Sequence, residues 1–430
     1  MRNNQKGSGF IPRNYDVFSG LDVDKKSISA TFLDHDGNTK AVRVPYDVRN
    51  LLNYVNNHYS GQKVAFAYEA GPTGFRLYDD LAAHGHFCLV AAASNIPTAP
   101  GQRVKTNRLD SKKISENLRG GQLKGIHVPT QPYRHLRHLT QLRDTFVKQM
   151  KATKCRIKSL LLYEGIPFPE VSPSSQWSSK VIQELQNLKC SEPVRFKLDR
   201  LLLSLEFFRS NIIDTTRSIR SFCQSNAELR RNIGYIRSIP GIGWVTASQL
   251  LARIGDWRQL QRVEQLGSFL GLVPREHSTG EDVNRGSITS IGDDRLRSKL
   301  IQCSWSSIRL DPEIREFFYR IYIRHHGKYA ARIAIVAVAR KLSTRIFAVL
   351  TQQRNYEVRQ TTKSVPLTKK KILLLQEETQ GNHIAPGRDS LSPRSESEIK
   401  MKEIIKSFVS VEREPGAIQQ ERKATHLKKV

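Results

Sequence analysis

The spacing of apolar and polar positions changes character along the chain, and each change predicts a different kind of element. From Val17 to Val44 the period is two: Val17 to Val23, Ser27 to Leu33 and Lys40 to Val44 read as three strands, with Asp34-His35-Asp36-Gly37-Asn38 turning between the last two. Tyr46 to Tyr59 then places Val48, Leu51, Leu52 and Val55 on one helical face. Lys63 to Glu69 and Phe87 to Ala92 are mostly apolar strands, separated by a helix that ends near Ala83. Another helix starts in the polar stretch Val104 to Lys113. A meander that passes into strand–helix alternation predicts a mixed sheet flanked by helices.

After Pro129 to Pro132 the period becomes helical. Tyr133 to Leu162 carries Leu139, Leu142, Phe146, Met150, Ile157 and Leu160 as a stripe, and 165–179 is a break rich in Pro and Ser. A second long helix then places Leu198, Leu201, Leu205, Phe208, Ile212, Ile219 and Phe222 in alternating steps of three and four. That seam predicts a helical hairpin or an intermolecular coiled coil, the latter a route to dimers. Ile236 to Ile254 reads as a helix-hairpin-helix around Pro240-Gly241-Ile242-Gly243. Leu260 to Phe269 is a further helix, 272–286 is a polar loop, and helices are expected over 294–307, 313–325 and 329–350. From Arg354 the chain turns polar, Lys-rich and Pro-punctuated, as a flexible basic arm does. The expected division is a loose N-terminus (1–16), a sheet domain (17–130), a helical hairpin (131–230), a mostly helical domain (231–353) and a basic tail (354–430).

Charge narrows the class. Lys and Arg number 69 against 40 Asp and Glu, a net +29 over 430 residues. A field of that sign draws polyanions, and nucleic acid is the commonest such partner. Cys88, Cys155, Cys190, Cys223 and Cys303 are scattered without a CxxC pair, so neither a disulfide framework nor a zinc site is expected, and a reducing cytoplasmic setting fits. No run of about 18 apolar residues offers a membrane span.

Two regions carry candidate chemistry. Asp22 lies in the first strand, Glu69 ends the fourth, and Asn107 and Asp110 share one face of the following helix. Gathered carboxylates need a cation, and hard oxygen donors favour Mg²⁺ or Mn²⁺. The same residues also allow a structural reading, in which Asp22 closes a strand, Glu69 caps a helix and Asp110 is surface charge. In the second region, Gly241 and Gly243 can present backbone N–H groups to a phosphate, or can simply join two packed helices. Ser278 would be an ordinary loop serine but for Arg275, Arg285, Arg295 and Arg297 nearby, since arginines grip phosphate and stabilise charge developing on it. Glu276 and His277 adjoin Ser278, but sequence neighbours point different ways and make no triad.

Taken in order, Gly20-Leu21-Asp22-Val23-Asp24-Lys25, Tyr68-Glu69-Ala70-Gly71, Lys105-Thr106-Asn107-Arg108-Leu109-Asp110, Ile239-Pro240-Gly241-Ile242-Gly243, Gly271-Leu272-Val273-Pro274 with Ser278-Thr279-Gly280, and Gly286 to Arg297 resemble the DEDD insertion-sequence transposases, which include Piv-type invertases and bridge-RNA-guided recombinases. The set spans roughly Val17 to Leu350. The resemblance implies a ribonuclease-H-like domain of the Holliday-junction-resolvase type, a coiled-coil middle and a C-terminal transposase domain. It also implies Mg²⁺ held by Asp22, Glu69 and Asp110, with Asn107 standing where the family has its third aspartate. Ser278 would be the nucleophile of a phosphoserine link to DNA. Lys105, Gly241, Gly243, Arg275, Arg285, Arg295 and Arg297 would contact nucleic acid. A composite site shared between subunits, a dimer or tetramer in the synapse, a guide RNA, and action at the bacterial nucleoid are implied as well. Two other functions share these residues: a metal-dependent junction nuclease that uses water, and a nucleic-acid-binding protein whose acidic site has decayed.

Overall fold

The computed structural model describes residues 10–97, 106–169, 177–276, 285–289, 291–325 and 329–359. Strands β1 (Val17–Val23), β2 (Ser27–Asp34), β3 (Thr39–Pro45), β4 (Val64–Glu69) and β5 (Phe87–Ala91) form one sheet in the order β3-β2-β1-β4-β5. The meander is antiparallel, whereas β4 and β5 run parallel to β1. The mixed sheet expected from the pattern is therefore present, with strand limits within a residue or two.

Helices cover both faces. On one, α1 (Val48–His58) and α2 (Arg76–Ala83) bury Leu51, Leu52, Val55, Leu77 and Leu81 against Leu21, Phe32, Phe66 and Tyr68. On the other, α3 (Asn107–Arg119) buries Ile114 and Leu118 against Phe18, Ala65, Ala67 and Leu89. The approach of α3 is close because residue 20 has no side chain. A β-carbon at Gly20 would overlap the Ser111 carbonyl and the Ser115 amide. Ser111 Oγ and Thr31 Oγ1 complete the contact with a buried 2.7 Å hydrogen bond.

The long helices α4 (Gln131–Tyr163) and α6 (Glu192–Ser225) pack side by side and antiparallel. His135 meets Phe222, Phe146 meets Phe208, and Ile157, Leu160 and Leu161 share a cluster with Leu198, Leu202 and Leu205. Two details differ from expectation. Leu142 is 46% exposed, because the buried line of α4 runs through Tyr133, Leu136 and Thr140 and resumes at Thr153 and Ile157. A short helix, α5 (Ser179–Gln186), begins where the Pro/Ser-rich break ends, capped by Ser178 and held by Val181 and Leu185.

The remaining helices are α7 (Ala227–Arg237), α8 (Trp244–Ile254), α9 (Val263–Phe269), α10 (Asp294–Leu310), α11 (Pro312–Arg324) and α12 (Ala330–Gln352). The apolar α12 is central and packs against α7, α9, α10 and α11. Asn226, Asp293 and Asp311 accept backbone N–H bonds at the starts of α7, α10 and α11, which is why those helices begin there. Within the expected polar loop lies a small antiparallel hairpin, β6 (Pro274–Glu276) with β7 (Arg285–Ile288). Among the described residues no helix is long and apolar enough to cross a membrane.

Substituting Gly20→Ala should push α3 off the sheet and cost about 3 kcal/mol in urea unfolding, as overpacking does. Gly234→Ala, in a helix with open space around it, should instead be neutral or stabilising by up to about 1 kcal/mol. Equal effects at the two sites would contradict the close approach at residue 20.

Candidate active site

Strand alternation decides which way the acidic residues face. Phe18 contributes to the α3-side core and Leu21 to the opposite one, so Gly20 and Asp22 belong to the α3 face. Along β4, Ala65 and Ala67 pack toward α3 and Tyr68 away, which puts Glu69 on the α3 face too. The parallel register pairs Leu21 with Tyr68, and its next step sets Asp22 beside Glu69. Both therefore stand at the carboxyl ends of adjacent parallel strands, the edge where open sheets bind ligands. Asp22 is half-buried and Glu69 exposed.

The helix α3 starts over the same face. Thr106 Oγ1 accepts the Leu109 N–H at 3.3 Å, and Asn107 and Asp110 occupy the first turn. Asp110 directly precedes Ser111, the residue resting on Gly20, and a carboxylate there is favoured by the helix dipole. Asn107 turns to a residue that sequence reasoning passed over: its Nδ2 donates to Asp24 Oδ2 at 2.6 Å. Asp24 begins the β1–β2 turn, where its N–H donates to the Ser27 carbonyl.

Asp22, Glu69 and Asp110 thus share one face and one edge of the sheet. Among the described residues, however, no three Asp, Glu, His or Cys side chains are gathered closely enough to hold a metal ion. The donor set is all oxygen, three carboxylates and one amide carbonyl, and its chemistry fits a hard divalent cation.

The second region is built on α7, α8 and α10. Gly241 has φ +92° and lies so close to α10 that a β-carbon would overlap Ser307, whose Oγ donates to the Pro240 carbonyl at 2.6 Å. Helix packing alone accounts for that glycine. Gly243 differs: it is exposed at the start of α8, and the Arg220 guanidinium lies 5.4 Å from the neighbouring Trp244 ring. That cation near the α8 N-terminus was not foreseen, because it comes from α6.

The described arginines divide by what they touch. Arg297 Nη1 reaches the Leu270 and Gly271 carbonyls at 3.5 and 3.4 Å, at the C-terminal end of α9. Arg295 is exposed on the first turn of α10, and Arg275 is exposed on β6. Of Arg285 only the backbone is described, paired with Glu276. Ser278, with Thr279, and Lys105 lie outside the described residues. The strands on either side of the Ser278 segment are paired, Pro274 with Ile288 and Glu276 with Arg285.

A polar network braces this region. Asp311 is fully buried, caps α11, and accepts Arg345 Nη1 at 2.6 Å and the Tyr356 hydroxyl at 2.9 Å. The Tyr356 N–H donates to Ser238 Oγ beside the α7–α8 turn. Burial pushes the Tyr356 phenol up, so it stays a donor. Glu313 pairs with Lys341 and Arg345 at 2.8 and 2.9 Å. Its burial opposes ionisation, but the bonds and charge of Lys341 and Arg345 outweigh that and hold its carboxyl below the usual value.

Carboxylates at the edge of a mixed sheet, in a strongly basic chain, suit an enzyme that acts on nucleic acid. Two family models match the chain. A DEDD transposase model of the IS110 type covers residues 19–164, the sheet with α3 and α4, and the IS116/IS110/IS902 transposase model covers 234–319, from the end of α7 into α11. The chain belongs to the DEDD insertion-sequence transposases, enzymes of DNA recombination. It is 28% identical to "Putative transposase y4qE" of Sinorhizobium fredii over 79% of this chain and 90% of that one. Identity is also 28% to the transposase of insertion sequence IS1111A from Coxiella burnetii, over 59% and 68% of the two chains. The pilin gene-inverting protein of Moraxella bovis is 31% identical over 36% of this chain and 48% of its own.

Asp311→Ala would remove one of the two carboxylates that Arg345 bonds, leave the Tyr356 hydroxyl without its acceptor and uncap α11, and should destabilise the protein by about 2–4 kcal/mol in denaturant unfolding. Because the Glu313 carboxyl is held below its ordinary value of 4.5, its contribution is complete above that pH and is lost as acid protonates it. Glu313→Gln should therefore lower stability near neutrality and flatten the loss seen below about pH 4.5. A parallel offset from wild type at every pH would contradict this.

Proposed function

We propose that this transposase cuts and rejoins DNA strands through a phosphoserine intermediate at a site made of two halves. The observation that carries the reading is the shared face of Asp22, Glu69 and Asp110, set where α3 meets the carboxyl edge of the sheet, in a chain of this family. Asp22, Glu69 and Asp110, with the Asn107 carbonyl, would hold Mg²⁺ or Mn²⁺, which when bound polarises the scissile phosphate and offsets its charge. Ser278 Oγ attacks phosphorus: a new O–P bond forms, the bond to the departing deoxyribose oxygen breaks, the serine proton passes to a base and the leaving oxygen takes up a proton. The bond energy is kept in the phosphoserine, so rejoining by the reverse step requires no nucleotide cofactor.

The domain division follows function. Residues 17–130 form the ribonuclease-H-like half with the carboxylates, 131–230 the coiled-coil connection, and 231–353 the half carrying the nucleophile, with α7–turn–α8 as a helix-hairpin-helix that grips backbone phosphates. Gly243 at that turn, Arg275, Arg285 and Arg295 around the Ser278 loop, and Lys105 from the sheet half are the DNA contacts; Gly241 and Arg297 support the turn and the loop stem. The net charge of +29 suits a nucleic-acid partner, including a structured guide RNA as well as DNA. The relative from Moraxella bovis is named as a pilin gene-inverting protein, and cutting and rejoining of strands by this chain is in keeping with that name. Pairing of copies through α6, whose Phe196, Leu203 and Phe207 are exposed, would bring the two halves together from different subunits.

The test is covalent capture. Wild-type protein with Mg²⁺ and DNA carrying the element's ends should form a protein–DNA adduct. Ser278→Ala should lose it at least a hundredfold while binding DNA with unchanged affinity, and Glu69→Gln should lose cleavage. Free DNA ends without an adduct, unaffected by Ser278→Ala, would instead identify a junction nuclease. Normal recombination by Glu69→Gln would show that the acidic site has decayed, a reading favoured by the asparagine at 107.

A further inference from the structure

One member of the candidate site, Asn107, is neutral, and the structure gives it a partner 83 positions away. Asn107 Nδ2 donates to Asp24 Oδ2 at 2.6 Å. An ionised carboxylate can only accept, so the NH₂ of the amide must face Asp24, and Oδ1 faces away from it. Were residue 107 an aspartate, two carboxylates would meet at this distance. Such a pair repels unless a proton or a cation lies between them. Aspartate at 107 and aspartate at 24 are therefore alternatives for a site of fixed charge.

We propose that Asp24 is a positioning residue of the carboxylate site. It supplies beside position 107 a negative charge that the neutral amide lacks, and it fixes the Asn107 amide with Oδ1 turned away from Asp24, toward a divalent cation held by Asp22, Glu69 and Asp110. The inference rests on the metal-assisted reading given above. Three placements support it. The Asp24 turn directly continues β1, two residues past Asp22. Position 107 opens the helix turn that also carries Asp110. Both Asp24 and Asn107 are exposed, so a cation can reach them from solvent. A bond that only pinned the start of α3 to the β1–β2 turn would affect stability and leave cation affinity alone.

The experiment uses the full-length protein and Mg²⁺ alone, with the melting temperature followed as Mg²⁺ is raised. Asp24→Asn is close to isosteric and removes one charge near the cation, which should raise the Mg²⁺ midpoint about five- to tenfold. The exchange Asp24→Asn with Asn107→Asp keeps the charge at the pair, moved to position 107, and should return the midpoint to within about twofold of wild type. Asn107→Asp alone should melt lower than wild type without Mg²⁺ and respond at lower Mg²⁺ concentrations. DNA cleavage should follow the same order, with Asp24→Asn weakest and the exchange restored. If wild type responds to Mg²⁺ and Asp24→Asn shifts the midpoint by less than about twofold, or the exchange does no better than Asp24→Asn, the inference is wrong. If wild type itself ignores Mg²⁺ and Glu69→Gln cleaves normally, the metal-assisted reading fails, and this inference with it.

Discussion

The contact between α3 and β1 at Gly20 is the constraint on which the acidic region depends. With no β-carbon in the way, helix backbone lies on strand backbone, and Ser111 bonds to Thr31 in the gap. This depth of approach sets the height of the first turn of α3 above the sheet edge. Asp110 and Asn107 are thereby placed over the ends of β1 and β4, where Asp22 and Glu69 face the same way. A bulkier residue at 20 would lift the helix and separate two carboxylate-bearing elements that are distant in sequence. Chemistry at that edge is thus coupled to core packing a few ångströms below it.

The helical half follows a similar logic with different means. Gly241 lets the α7–α8 turn sit on α10, while Asp311 gathers Arg345, Tyr356 and the start of α11 at one buried point. Arg253 and Asp293 join the end of α8 to the start of α10 at 2.7 Å, and Asp293 also caps that helix. The stem of the hairpin that flanks Ser278 therefore emerges from braced helices. Such bracing would suit the proposed attack of Ser278 on phosphorus, because misplacement of a nucleophile by an ångström costs much of the rate.

Much of this was legible in the amino-acid pattern, for identifiable reasons. Period-two alternation and the Asp34 to Asn38 turn located the meander, and steps of three and four located the face of α6 that meets α4. The pattern failed where apolar spacing is too thin to read. The strands β6 and β7 are three and four residues long and largely polar, and α5 rests on only two buried residues. Leu142 fell outside the buried line of α4 because Thr140 and Thr153 take interior positions that a hydrophobicity count assigns to leucine. At the site, the residue types were visible but their meeting was not. That Asp22 flanks Glu69 depends on parallel register, and that Asn107 finds Asp24 depends on how α3 crosses the sheet.

The helix α4 also has a mechanical meaning. Its first turns are fixed from two sides: Arg134 bonds Asp79 of α2 at 2.7 Å, and Arg137 bonds the Ala252 and Arg253 carbonyls that end α8. Its far half packs along α6 and the small cluster around α5. Thirty-three residues make a rod of about 50 Å, and midway along it Asp144 accepts bonds from Gln249 of α8 and Lys299 of α10. One helix thus bonds the sheet through Arg134, α8 through Arg137 and α10 through Asp144, so a shift of α4 along its axis would strain all three junctions together.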